Sequence, residues 1–222
     1  MLNTPEWPLW IEGKHRCLWI NGIPGAGKSI LASYMAEVIE MHCKSSSNQS
    51  SKLGHAYYYC YFGHNQDEST HFLRWIIGQL CRQAKRIPEN LYDIYNSGKE
   101  PSLSALLSAL QTALEVFERV YIVLDAVDES MPREDLLRVI RDISTDARFS
   151  NLSLLVTSRQ YIDIEQIMAA CSIPINMSNL FVEEDIGTLV RSVVQSDAKY
   201  QRWPENLRLE VQITIPKRAE GM

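Results

Sequence analysis

Cys17-Leu18-Trp19-Ile20-Asn21-Gly22-Ile23-Pro24-Gly25-Ala26-Gly27-Lys28-Ser29 is the stretch that decides how the chain folds. Cys17–Asn21 is a short apolar run, long enough for one buried strand. Gly22–Ser29 then matches the phosphate-binding loop pattern G-x-x-x-x-G-K-[ST]. Its glycines let the backbone turn tightly, with N–H groups aimed at anionic oxygens. A helix beginning near Lys28 turns its positive dipole end toward the same anion. The pattern assigns Gly22, Ile23, Pro24, Gly25, Ala26, Gly27, Lys28, Ser29 and Ile30 to the phosphates of a nucleotide. Lys28 supplies a mobile positive charge for the β- and γ-phosphates, and the Ser29 hydroxyl is a hard oxygen ligand for Mg²⁺. A plain Gly-rich turn is the competing reading; a strand before and a helix after count against it.

Two further strand ends carry polar groups. Val120–Leu124 is a continuous apolar run that ends in Asp125-Ala126-Val127-Asp128-Glu129. A buried strand that discharges acids at its C-terminal end places them in the usual ligand crevice of an open α/β sheet. Asp125 reads as the acid that holds Mg²⁺ opposite Ser29. Asp128 or Glu129 would orient or deprotonate an attacking water, or else cap the next helix. Leu152–Val156 is the next strand and ends in Thr157-Ser158-Arg159, where Arg159 would meet a γ-phosphate or lie as a surface arginine.

Strands alternate with helices along the rest of the chain. The pattern predicts an α/β fold, a parallel sheet with helices on both faces. Thr4-Pro5-Glu6 starts a short helix with Trp7 and Trp10 on one packing face. Ile30, Tyr34 and Val38, with Leu31, Met35 and Ile39 beside them, form one broad apolar helix stripe. Residues 44–52 are polar and read as a flexible surface loop, open to proteolysis. His55–Phe62 reads as a strand covered on both sides. Asp67-Glu68-Ser69-Thr70 caps a helix that ends at Ile87-Pro88, and residues 89–101 read as a connector. Ile173–Met177 is the last strand, and a further helix starts near Glu183. Leu207–Ala219 fits alternation and helical spacing equally, with Pro216 weakening both. The expected organisation is a lead-in over 1–16, a nucleotide-binding core over 17–178 and a helical extension over 179–222.

Composition narrows the field. The 222 residues are 45% hydrophobic, enough for one large core, and the net charge of −5 gives no basic excess for a nucleic-acid backbone. The five cysteines are scattered, without a C-x-x-C pair, which fits free thiols in a reducing compartment. His55, Cys60, His64 and His71 lack zinc-ligand spacing. No apolar run approaches a membrane span, and the first residues lack a signal peptide's pattern, so we expect a soluble, cytoplasmic protein.

The ordered set L-W-I-N-G-I-P-G-A-G-K-S, Y-Y-Y-C-Y-F, D-E-S-T-H-F-L-R-W-I-I-G-Q-L, V-L-D-A-V-D-E-S and L-L-V-T-S-R, with the late D-I-G-T-L-V and K-R-A-E-G-M, resembles the signal-transducing ATPases with numerous domains. More narrowly it resembles the NACHT class in its nephrocystin-3-like N-terminal form, abundant in fungal NOD-like receptors. The resemblance implies a P-loop NTPase three-layer sandwich, α/β, with a mainly parallel five-stranded sheet and helices on both faces, in which the arginine-bearing strand lies between the loop strand and the Asp125 strand; it also favours a helix for the tail. It implies ATP binding with Mg²⁺ and slow hydrolysis, by a switch module that passes between a closed monomer and an open homo-oligomer. The lack of an N-K-x-D motif favours ATP over GTP. Its partners would be an effector segment and ankyrin, WD40 or TPR repeats of a longer chain. The chain stops at Gly221-Met222, where the family pattern would continue, so we expect a fragment lacking a lid or winged-helix region. A scaffold that binds nucleotide without turnover, and a small-molecule phosphoryl kinase, are the alternatives; the kinase would need an Arg-x-x-x-Arg lid segment between the later strands, and none occurs there.

Overall fold

The computed structural model describes residues 4–46, 52–96, 98–177 and 179–218. The strands are β1 (Cys17–Asn21), β2 (Leu53–Tyr59), β3 (Arg119–Asp125), β4 (Leu152–Ser158) and β5 (Ile173–Asn176). They form one sheet in the order β2-β3-β4-β1-β5. The pairs β2–β3, β3–β4 and β1–β4 are parallel, so the arginine-bearing strand does lie between the loop strand and the Asp125 strand.

The chain falls into two compact units. The first comprises residues 1–21 and 28–175. Its helices are α1 (Glu6–Ile11), α2 (Lys28–Ser46), α3 (Ser69–Ala84), α4 (Glu89–Asn96), α5 (Leu103–Leu114), α6 (Glu134–Thr145) and α7 (Ile162–Cys171). Because strand side chains alternate, each strand serves two cores. Cys17, Trp19, Ile122, Leu124, Leu154 and Val156 join the helical layer of α3, α5, α6 and α7. Leu18, Ile20, Tyr121 and Val123 are buried but lie outside that cluster, and α1 and α2 cover this opposite face. Trp10 anchors α1 there: its Nε1 donates to the Leu154 carbonyl at 3.0 Å, and its ring lies 5.2 Å from that of Trp7. Arg16, just before β1, donates from one Nη2 to the carbonyls of Ile143, Asp146 and Phe149, closing the C-terminal end of α6.

The second unit comprises residues 22–27 and 176–222. Within it α8 (Asn179–Ser196) packs on α10 (Glu205–Arg218), with α9 (Ala198–Gln201) between them in sequence. Asp197 caps α9 by accepting from the Lys199 amide at 2.8 Å.

The tail, left open by its spacing, is helical as the resemblance favours, and Pro216 lies near the end of α10, where it costs one backbone bond. Several other local expectations are corrected. Part of the expected connector is α4, and the polar loop expected after α2 lies mostly at 47–51, outside the described residues. In α2 the buried line is Ala32, Met35, Ile39 and Cys43, while Ile30 and Tyr34 are exposed. A stripe as wide as the one expected cannot all face one sheet at 100° per residue.

β2, expected to be covered on both sides, meets both α3 and α2, but it is also the edge strand; Tyr57 and Tyr59 stay partly exposed, and Tyr61 and Phe62 fall beyond it. Two residues of its outer edge have their backbone groups paired. Gln83 accepts from the His55 amide (3.1 Å) and donates to the His55 carbonyl (2.6 Å). Gln79 does the same for Tyr57, at 3.3 and 2.8 Å. Two side-chain amides thus imitate a neighbouring strand and shut an edge that would otherwise accept one. Replacing both glutamines with alanine should cost about 1–3 kcal/mol. It should also speed hydrogen exchange at the His55 and Tyr57 amides; unchanged exchange there would refute the edge-closing role.

The five thiols are free. Burial pushes each of them up, Cys43 to about 12. The native protein should therefore react slowly with a thiol reagent at neutral pH, and fully once denatured.

Candidate functional site: the strand ends of the first unit

Asp125 is the last residue of β3 and is 3% exposed. A carboxylate this buried needs partners. Thr157, at the end of β4, donates its hydroxyl to Asp125 Oδ1 and accepts from the Ala126 amide at 3.0 Å. One hydroxyl so joins both strand ends. The next residue, Ala126, has φ 57°, in the left-handed region. A side chain branched at Cβ would be strained there. That reversal leads into a single helical turn, Val127–Glu129, anchored by the fully buried Val127.

Each residue of Thr157-Ser158-Arg159 ties β4 to a different neighbour. Thr157 takes the Asp125 side, while Ser158 Oγ accepts from Trp19 Nε1 of β1 at 2.8 Å and donates to the Arg159 carbonyl at 2.9 Å. Arg159 meets Asp128 twice: its amide donates to Oδ1 at 3.0 Å, and its Nε lies 3.2 Å from Oδ2. Arg133 braces the same turn, donating to the Asp128 carbonyl at 2.9 Å while pairing with Asp163 of α7 at 2.6 Å.

Asp128 and Glu129 are therefore not equivalent. Glu129 Oε2 turns to the other side and accepts from the Phe62 amide at 3.3 Å. Neither acid caps α6. That helix receives its cap from Asp67, whose Oδ2 accepts from the Asp135 and Leu136 amides at 3.1 and 3.3 Å.

Asp67 belongs to a group that the sequence reading placed only as a cap for α3. Asp67 Oδ1 does accept from the Ser69 amide at 2.8 Å. Its neighbour Glu68 is completely buried, accepts from the Tyr58 hydroxyl and lies 2.7 Å from His64 Nδ1. Burial, followed by the bond to Glu68, pushes the Tyr58 hydroxyl well above the usual tyrosine range. The Glu68 amide donates to Ser130 Oγ at 3.1 Å, and the Cys60 amide to the Asp125 carbonyl at 3.0 Å. Residues 60–68 so form a second wall behind the acids. The i, i+4 spacing of His64 and Glu68 was the available signal.

Lys28, in the first turn of α2, belongs to the same electrostatic neighbourhood. Burial pushes its ammonium below the usual lysine range; the Asp128 carboxylate opposes that, Arg159 adds to it and Asp125 opposes it. Lys28, Asp125, Asp128 and Arg159 are thus brought together. Ser29 is exposed on the same turn, and the Ile30 side chain is 78% exposed. The loop residues Gly22–Gly27 belong to the second unit. There Gly25 and Gly27 have φ of 78° and 82°, and a Cβ on Gly22 would lie 3.2 Å from the Met177 Cβ. Among the described residues no group of three or more His, Cys, Asp or Glu side chains could hold a metal alone. No described helix is long and apolar enough to cross a membrane.

A family model described as Nephrocystin 3, N-terminal, matches residues 1–159. The vegetative incompatibility protein HET-E-1 of Podospora anserina is 25% identical over 207 residues, which are 88% of this chain and 15% of that protein. Among solved structures, Cdc6p of Pyrobaculum aerophilum superposes with a TM-score of 0.52 at 15% identity, over 88% of this chain and 50% of that one. The Aeropyrum pernix ORC1 protein, solved in complex with DNA, gives 0.51 at 15% identity over 96% of this chain and 58% of its own. The Aeropyrum pernix ORC2 protein in ADPNP–ADP complexes gives 0.51 at 16% identity, over 93% and 53%. At these identities the structural likeness is one of fold, the α/β fold of P-loop NTPases.

Two substitutions test the local geometry. Ala126→Val should destabilise the fold by about 2 kcal/mol, because a β-branched residue resists the left-handed region, whereas Ala126→Gly should be nearly neutral. Thr157→Val leaves the Ala126 amide and a buried carboxylate each short of a partner and should cost about 2–4 kcal/mol in denaturant unfolding.

Proposed function

The chain belongs to the nephrocystin-3 N-terminal family, a NACHT-like P-loop domain, and from that premise we propose that it binds ATP with Mg²⁺ and hydrolyses it slowly, as the nucleotide switch of a longer signalling protein. The observation that carries this reading is the convergence of Lys28, Asp125, Asp128 and Arg159, four groups from three separate parts of the chain. A desolvated ammonium beside carboxylates and a guanidinium is a costly arrangement for an empty surface. A polyphosphate offers oxygens to the two cations, and its divalent ion meets the carboxylates.

In this proposal Gly22–Gly27 offers backbone amides to the phosphates and Lys28 neutralises the β- and γ-oxygens. Ser29 and Asp125 hold Mg²⁺. Their donor set fits that ion: a hydroxyl and one carboxylate are hard oxygen ligands, and Mg²⁺ typically completes its shell with phosphate oxygens and water rather than an all-protein cage. When bound, Mg²⁺ would polarise the phosphate oxygens. Arg159 would meet the γ-phosphate, and an acid of the 128–129 pair would orient water. ATP is preferred to GTP because no guanine-reading N-K-x-D motif occurs. The matched region is a small part of HET-E-1, so effector and repeat domains, an oligomeric open state and a cytoplasmic location are proposed for the whole protein. The acidic balance gives nucleic acid no part in this proposal.

Lys28→Met tests the proposal. Loss of a charge-assisted phosphate contact should weaken binding of a fluorescent ATP analogue at least about 10-fold. The ammonium lies below its usual 10.5, so its burial penalises the folded state at neutral pH, a penalty relieved only as pH rises toward that value. The unliganded variant should therefore melt no lower than the parent. Unchanged analogue affinity would defeat the proposal.

A further inference from the structure

Asp128 and Glu129 are adjacent acids, and sequence alone treats them as interchangeable candidates for the group that activates water. Their surroundings separate them. Asp128 is 6% exposed, and each carboxylate oxygen meets the same residue: Oδ1 accepts the Arg159 amide at 3.0 Å, and Oδ2 lies 3.2 Å from Arg159 Nε. A water activated by Asp128 would first have to displace an arginine held by its main chain and its side chain together.

The grip is strongest at the main chain. The Arg159 amide donates to Oδ1, while Nε lies 3.2 Å from Oδ2 as an ion pair, so the guanidinium keeps its donors for phosphate oxygens. The base of the clamp is itself fixed. Arg133 donates to the Asp128 carbonyl at 2.9 Å, is tied to Asp163 at 2.6 Å and has its guanidinium 5.0 Å from the centre of the Tyr161 ring. The carboxylate is thus anchored at the residue that carries it and at the residue it holds. Arg159, with its side chain 43% exposed, is the member facing solvent.

We propose that Asp128 is a positioning residue that aims Arg159 at the terminal phosphate of a nucleoside triphosphate, and that Glu129 alone is the acid available to orient water. This rests on the nucleotide-switch reading above. Asp128 therefore governs discrimination between triphosphate and diphosphate, whereas Glu129 governs turnover.

The test uses the full chain and five variants: Asp128→Asn, Asp128→Ala, Arg159→Ala, Asp128→Ala with Arg159→Ala, and Glu129→Gln. Affinities for ADP and for a slowly hydrolysed ATP analogue are measured with Mg²⁺, alongside phosphate release. Both Asp128 variants should lower the preference for triphosphate about 10-fold while changing ADP affinity little. The double variant should match Arg159→Ala, because removing the aim of an absent side chain adds nothing. Glu129→Gln should keep the preference and lose turnover. If instead Asp128→Asn keeps the preference and abolishes phosphate release, Asp128 is the water-activating acid and the proposal fails. A second readout needs no nucleotide: the Arg159 backbone amide should be protected from hydrogen exchange in the parent and lose that protection in Asp128→Ala, with melting confirming that the variant folds. Protection that survives Asp128→Ala overturns the clamp. Protection that depends on Asp128, in a protein that binds neither nucleotide, upholds the clamp and overturns the nucleotide reading instead.

Discussion

A carboxylate taken out of water at the end of a buried strand is the constraint from which the strand-end architecture follows. Asp125 can be ionised and 3% exposed only if its surroundings supply donors. Thr157 supplies one, from the adjacent strand, and uses its remaining capacity on the amide that follows Asp125. That single hydroxyl sets the relative position of β3 and β4 at the end where the acids and the arginine emerge. The left-handed Ala126 then turns the chain so that Asp128 reaches back to β4 while Glu129 reaches toward residues 60–68. Two side chains one position apart in sequence come to serve two opposite walls.

The polar network extends this logic outward by steps. Ser158 links to Trp19, Arg133 to Asp163, Asp67 to the first amides of α6, and Glu68 to Tyr58 and His64. Most of these bonds join loops rather than regular elements. Loops that carry polar side chains for chemistry need such ties, since they contribute little apolar area of their own. The sheet provides rigidity, and the loop-to-loop bonds transfer it to groups that the sheet cannot hold directly.

Much of this was legible in the sequence because the signals were local. The run Cys17–Asn21, the glycine pattern after it and the apolar runs ending at Asp125 and Thr157 each name an element and its end. Whatever depended on partners distant in sequence was not. Nothing in His55–Tyr59 says that the strand lies at the edge of the sheet, with its outer side met by two glutamines from α3. Glu68 looks like any acid at a helix start, and its complete burial follows from Tyr58, His64 and Ser130. The apolar stripe of α2 was found, but which third of it faces the sheet is set by tertiary packing; Met35 is inside and Ile30 outside. In the tail, Leu207, Val211 and Ile215 fit both alternation and helical spacing, so the pattern left the choice open; the packing of α10 on α8 agrees with the helix that the resemblance favoured.

The glycine that opens the phosphate-loop pattern packs against Met177, closely enough that even a methyl group on Gly22 would crowd it. Both residues belong to the compact unit that also holds α8, α9 and α10. A side chain at that position would have to push the methionine aside or bend the loop itself, so the first residue of the pattern is held to its smallest form by a neighbour more than a hundred residues away in sequence.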